Sequence, residues 1–159
     1  MIIPFDNLSV EITENMLRKL LKHEQYYGMY ESGGILLGKR TTDGKKYIIT
    51  DITEYNQFDR SGPLFFVRDR IAAQKRINDV WIESKGLVNY IGEWHTHPCK
   101  NPRPSTIDRV LMQKIFEEKS NVWNEAIMII VGQQHSMYVG VFSKNSGGHV
   151  FAQTVIGGF

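Results

Sequence analysis

The amino-acid sequence predicts an α/β domain: one sheet of mixed strand direction accompanied by about three helices. Two observations predict the class. Apolar residues recur at helical spacing in three separate stretches, and β-branched or alternating runs of strand length lie between them. A third observation bounds the size, because 159 residues with 42% apolar content supply one well-buried core. A second full domain would leave each half marginal, and no repeat or linker divides the chain, so a single domain over residues 1–159 is expected.

Leu8–Ile12 alternates apolar and polar residues like a short strand. Thr13 is placed to cap a helix whose Met16, Leu17, Leu20 and Leu21 share a face, with Gly28 expected to end it. Gly34–Gly38 and Tyr47–Ile52, joined through the turn residues Thr42-Asp43-Gly44, read as a hairpin. A second helix is expected from Arg68 to about Glu83, with a mixed face of Ile71, Gln74 or Lys75, Asn78 and Trp81. Leu87–Trp94 has the composition of a buried strand and runs directly into His95-Thr96-His97-Pro98. Pro98, Pro102 and Pro104 stiffen the loop that follows, and Ser105 opens a third helix with Ile107, Val110, Leu111, Ile115 and Phe116 on its apolar side. Ala126–Val131, Met137–Phe142 and Val150–Val155 read as three closing strands.

Composition narrows the function by exclusion. Nineteen basic against seventeen acidic residues of scattered sign give no sustained field for nucleic acid or a membrane surface. Lys39-Arg40 and Lys45-Lys46 on the hairpin read as solvated charge. The longest apolar runs fall far short of the roughly 20 residues a bilayer requires, and the N-terminus lacks a basic stretch followed by an apolar one. One cysteine, Cys99, forms no internal disulfide and fits a reducing compartment, so a soluble cytoplasmic protein is expected.

The chemistry concentrates around the histidine pair. In an extended segment side chains alternate sides, so His95 and His97 leave the strand end on one face while Thr96 points away. Two imidazoles can then meet one metal, and a catalytic zinc needs a third protein ligand while keeping one position open. Asp108, on the first turn of the helix after the proline loop, is the candidate. Ser105-Thr106-Ile107-Asp108 equally fits an ordinary capping box, with the serine hydroxyl on a backbone N–H and the acid reaching back to the cap. Glu93 shares the strand face of the histidines and rivals any other carboxylate as a base or as a partner of the ligands. Cys99 could be imagined as a thiolate ligand or a nucleophile, but a histidine that binds metal cannot serve as its base, so it is read as a loop residue lining the substrate path. His23, His135 and His149 are read as solvated side chains, and the Gly157-Gly158-Phe159 tail as a frayed end.

His95-x-His97, seven residues from Pro98 to Pro104, then Ser105-x-x-Asp108 resembles the signature of the JAMM (MPN-plus, Mov34/JAB) metalloproteases. Upstream, Glu31-Ser32-Gly33-Gly34-Ile35-Leu36-Leu37-Gly38 is similar to the glutamate motif of that family's bacterial form. The resemblance spans roughly Val10 to Phe142 and implies a curved mixed sheet flanked by helices. It further implies that His95, His97 and Asp108 bind Zn²⁺. By the same resemblance Glu31 takes the proton of the metal's water and passes it to the departing amine, and Ser105 steadies the oxyanion. Members of the family cleave after the C-terminal glycine of ubiquitin or ubiquitin-like proteins. The compact form with E-S-G-G and G-E-W-H-T-H-P resembles the peptidases of CBASS anti-phage operons, which implies release of a conjugated cyclic-nucleotide synthase (a CD-NTase-type protein with an extended C-terminal tail). Tyr55–Phe66 and Pro98–Pro104 are the expected walls of the substrate groove. Two other readings stand beside it: a peptidase that trims a sulfur-carrier precursor, and a non-catalytic scaffold of the same fold, against which the intact ligand set argues.

Overall fold

A computed structural model describes residues 1–117 and 123–158. Among these residues ten strands and three α-helices follow one another as β1 (Ile2–Pro4), β2 (Ser9–Ile12), α1 (Glu14–Leu21), β3 (Gly33–Arg40), β4 (Lys46–Ile52), β5 (Arg60–Gly62), β6 (Phe65–Val67), α2 (Arg70–Glu83), β7 (Asn89–Thr96), α3 (Thr106–Glu117), β8 (Glu125–Val131), β9 (Met137–Ser143) and β10 (His149–Ile156), with a single 3-10 turn at Lys144–Ser146. Eight strands form one sheet in the order β1-β2-β4-β3-β7-β8-β9-β10, and β5 with β6 makes a separate hairpin. The β2–β4 and β7–β8 pairs are parallel and the others antiparallel, so the sheet is mixed, as the sequence predicts.

The helices sort onto two faces, and that sorting creates the site. Met16 and Leu20 of α1 bury against Leu36, Trp94, Ile127 and Ile129 on one face. On the other, Ala73 and Val80 of α2 cover Ile35 and Leu37, while Met112, Ile115 and Phe116 of α3 cover Met128 and Ile130. His95 lies opposite Gly33 on β3 and Ile130 on β8, and cross-strand partners share a face, so its ring emerges on the side that α2 and α3 occupy. Full burial of each large apolar side chain in these clusters contributes about 1.5–3 kcal/mol.

Several local expectations are corrected. Thr13 does cap α1, its hydroxyl accepting the Met16 N–H at 3.3 Å, but the helix stops at Leu21. Gly28 instead makes the turn in which Met29 N–H bonds Tyr26 C=O, and its φ of 84° is the left-handed value glycine adopts without steric cost. α2 buries Ala73 and Val80 with Ile77, not the face through Ile71 and Trp81, both of which are exposed. α3 buries Met112 with Ile115 and Phe116, while Ile107, Val110 and Leu111 face outward, Ile107 at 77% exposure. His23 is not a solvated side chain: it sits 3.0 Å from a Glu54 carboxylate oxygen and packs against the Trp94 ring. Leu87 stands outside β7, which begins at Asn89. Of the Gly157-Gly158-Phe159 tail, Phe159 lies outside the described residues.

Candidate metal centre

One strand, the segment leading into its neighbour, one loop and one helix start bring the polar side chains together. β7 delivers His95 from within the strand and His97 just past its end, where His97 N–H still bonds Val131 C=O at 2.9 Å. Alternation sends Thr96 to the opposite side, fully buried. The proline loop is anchored rather than loose. Cys99 N–H bonds His97 C=O, Gln133 N–H bonds Cys99 C=O, both at 2.8 Å, and Pro102 and Pro104 are buried. Cys99 itself is half-buried in this loop.

The helix start accommodates both a capping box and a metal ligand, because Asp108 is placed for each. Its Oδ2 accepts the Ser105 N–H at 2.7 Å, and the Ser105 hydroxyl accepts the Asp108 N–H at 3.2 Å, which is the reciprocal box. The same carboxylate reaches the histidines, with Oδ1 3.3 Å from His95 Nε2 and Oδ2 3.6 Å from His97 Nε2. The two Nε2 atoms are 3.2 Å apart. Metal bonds of about 2.0–2.1 Å at tetrahedral angles put neighbouring ligand atoms ~3.4 Å apart, so this donor set fits one small cation. Among the described residues these three form the group of His, Cys, Asp and Glu able to share an ion.

Electrostatics support a cation at this point. Burial opposes the charge on Asp108, but hydrogen bonding and positive charge from His95, together with the two Ser105 contacts, overcome it and hold the carboxyl well below the usual range. Burial and the neighbouring His95 push the His97 pKa down, against the opposing pull of Asp108 and of a hydrogen bond with the Arg103 backbone. A neutral imidazole beside an ionised carboxylate is the protonation state that metal ligands need.

Glu31 arrives from the extended segment just before the neighbouring strand β3. Past the Gly33–His95 pair, Thr96 N–H bonds Ser32 C=O at 2.9 Å and Ser32 N–H bonds Thr96 Oγ1 at 3.0 Å, which carries the register onward and sets Glu31 level with His97. Glu31 N–H is itself held by Gly62 C=O at 2.8 Å. Burial, partly offset by the charge of His95 and reinforced by Asp108, pushes its carboxyl up to about 7. The two glycines that follow are steric necessities. A Cβ on Gly33 would lie 2.5 Å from the Phe66 ring, and one on Gly34 would lie 2.2 Å from Thr53 C=O. The hairpin β5–β6 therefore lies directly beside Glu31, on the side expected to wall the groove.

Glu93 has a different occupation. It is buried on the histidine face, but Arg68 grips it with three contacts of 2.7–3.2 Å and the Tyr90 hydroxyl donates to it at 3.0 Å. A carboxylate so engaged is a structural partner of α2's approach rather than a base. Sequence reasoning missed Arg68 and Gln25. Gln25 is 1% exposed and joins segments far apart in the chain; a lone glutamine in a loop carries no pattern that could have revealed it.

Comparisons with known proteins place the fold and the family. A model of prokaryotic homologs of the JAB domain matches residues 13–143. A CD-NTase/cGAS isopeptidase from Escherichia coli is 36% identical over 89% of this chain and 86% of its own length. A Sinorhizobium fredii protein named "Probable metalloprotease y4qB" is 26% identical over 76% of this chain and 73% of its own. The solution structure of a Desulfitobacterium hafniense protein shares the fold at a TM-score of 0.62, with 17% identity over 93% of this chain and 90% of that one. With a family match over most of its length and a relative of this similarity, the chain belongs to the prokaryotic JAB-domain family.

Proposed function

We propose that this protein, acting as one JAB-type domain, is a zinc-dependent isopeptidase that releases a CD-NTase-type or ubiquitin-like protein from the target to which its C-terminal residue is conjugated. The observation that carries the reading is the convergence of His95, His97 and Asp108 on one point with Glu31 held level with it. The names of similar proteins supply the substrate class: the Escherichia coli relative is called a CD-NTase/cGAS isopeptidase, and its matched region covers most of both chains.

His95, His97 and Asp108 would hold the ion. When bound, zinc would polarise the scissile carbonyl and acidify water. Glu31, with a pKa of about 7, can take a proton from the attacking water and return it to the departing amine at neutral pH. The Ser105 oxygen already accepts the Asp108 N–H, so its hydroxyl hydrogen is the group it can offer to the carbonyl oxygen as charge develops there. No helix among the described residues is long and apolar enough to cross a membrane. An action in the cytoplasm suits the single cysteine.

Purified, zinc-loaded protein mixed with CD-NTase and ubiquitin-like conjugates tests the reading by mass spectrometry of the products. The expected cut falls immediately after the donor's last residue. Intact conjugates from every such donor, with zinc bound, would remove the assignment.

A further inference from the structure

We infer that Gln25 and Thr96 are positioning residues for Glu31, holding its segment against the strand that carries His95 and His97. The inference rests on Glu31 being the proton carrier.

Gln25 is buried, and every polar atom of its side chain is committed. Its Nε2 donates to Met29 C=O at 2.9 Å and to Pro63 C=O at 3.1 Å. Carbonyls can only accept, so the orientation of the amide is fixed and Oε1 must face Thr96. Thr96 Oγ1 lies 3.1 Å from that oxygen and must therefore donate to it. With its hydrogen spent, the Thr96 oxygen offers a lone pair to the Ser32 N–H, and that bond is present at 3.0 Å. The result is a one-way chain from Ser32 through Thr96 to Gln25 and on to two backbone carbonyls, in which each bond polarises the next.

The chain ends where Glu31 needs support. Met29 and Ser32 flank Glu31, and Pro63 follows Gly62, whose carbonyl holds the Glu31 N–H. The Gln25 carbonyl accepts from Gln133 Nε2 at 3.1 Å, and Gln133 N–H bonds Cys99 in the loop after His97. Through its side-chain amide Gln25 thus connects both sides of Glu31, the hairpin beside it and the residue between the two histidines, and through its backbone carbonyl the loop beyond them. Glu31 itself lies outside any strand, and its carboxylate has no side-chain hydrogen bond or ion pair among the described residues. A buried carboxylate without such a partner gains by turning toward water, so its place is set by the backbone on either side.

The test compares Thr96→Val, which keeps the shape and deletes both hydrogen bonds, with Thr96→Ser, which keeps them. On a conjugate substrate Thr96→Val should lower kcat on the order of 10–100-fold, with KM and bound zinc unchanged, and Thr96→Ser should restore most of it. Gln25→Met should follow Thr96→Val. In a Glu31→Gln background Thr96→Val should cause no further loss, because both changes act through one side chain. A kcat unchanged in Thr96→Val, or a further fall in the Glu31→Gln background, would overturn the inference. If the parent cleaves no conjugate, the isopeptidase reading fails by itself. Positioning is then read from the crystal structure of Thr96→Val, where a Glu31 carboxylate in the parent's place overturns it and a displaced one supports it.

Discussion

Two buried carboxylates on the same face of the sheet have opposite surroundings. Glu93 is 6% exposed and enclosed by Arg68 and Tyr90; Glu31 is 9% exposed and, among the described residues, makes no ion pair. Burial alone therefore does not decide what a carboxylate does. A carboxylate held by a guanidinium joins elements together, whereas Glu31, without such a partner beside the histidines, is left able to exchange a proton near neutral pH. The difference lies in which segment supplies a guanidinium: Arg68, just before α2, reaches Glu93, while β5–β6 presents the Phe66 ring beside Gly33 next to Glu31.

Exchanging the two roles should break the contrast. Glu31→Gln should lower kcat by roughly 10²–10⁴-fold while zinc content stays at the parent level, read by steady-state kinetics and metal analysis of the same sample. Next in size, Arg68→Met leaves Glu93 buried without its cation and should cost about 3 kcal/mol, seen as a lower midpoint in denaturant titration with the slope unchanged. A third effect concerns the cost of keeping Glu31 unpaired. Its folded pKa of about 7 lies above the ordinary 4.5, so in metal-stripped protein ionisation destabilises the fold, increasingly as pH rises past 4.5 and to a plateau above about 7. Chelated Glu31→Gln should therefore be more stable than chelated parent by about 1–3 kcal/mol at pH 8, with the gap closing towards pH 4.5. Equal stabilities across that span would show that Glu31 titrates normally. Smallest of all, Ile107→Gln on the outer side of α3 should change stability by less than about 0.5 kcal/mol, since that side chain packs against nothing that matters to the core.

Local chemistry made much of this architecture legible in the sequence. The β-branched runs, the Thr13 cap and the Thr42-Asp43-Gly44 turn each act within a few residues, and the corresponding elements formed. The spacing from His95 to Asp108 was legible for the same reason, since three prolines in a short loop leave few routes between a strand end and a helix start. Helix faces were harder. Ile107, Val110 and Leu111 have the right spacing for a buried side, but α3 lies along β8 through Met112, Ile115 and Phe116, and which stripe meets a sheet is set by tertiary packing. β1, β5 and β6 are three residues each, too short for periodicity to register. The division of labour between Glu31 and Glu93 was legible only through the family resemblance and not from residue patterning, because it depends on Arg68, twenty-five residues from Glu93, and on a glutamine seventy-one residues from Thr96.

The proposed zinc is shared by three side chains, from a strand, its exit and a helix start. An anomalous difference map collected at the zinc edge, on crystals of protein purified with zinc, tests it most directly. A single strong peak is expected at bonding distance from His95 Nε2, His97 Nε2 and one Asp108 carboxylate oxygen. A map without that peak, or with zinc bound elsewhere while the Asp108 carboxylate serves only the Ser105 box, would contradict it.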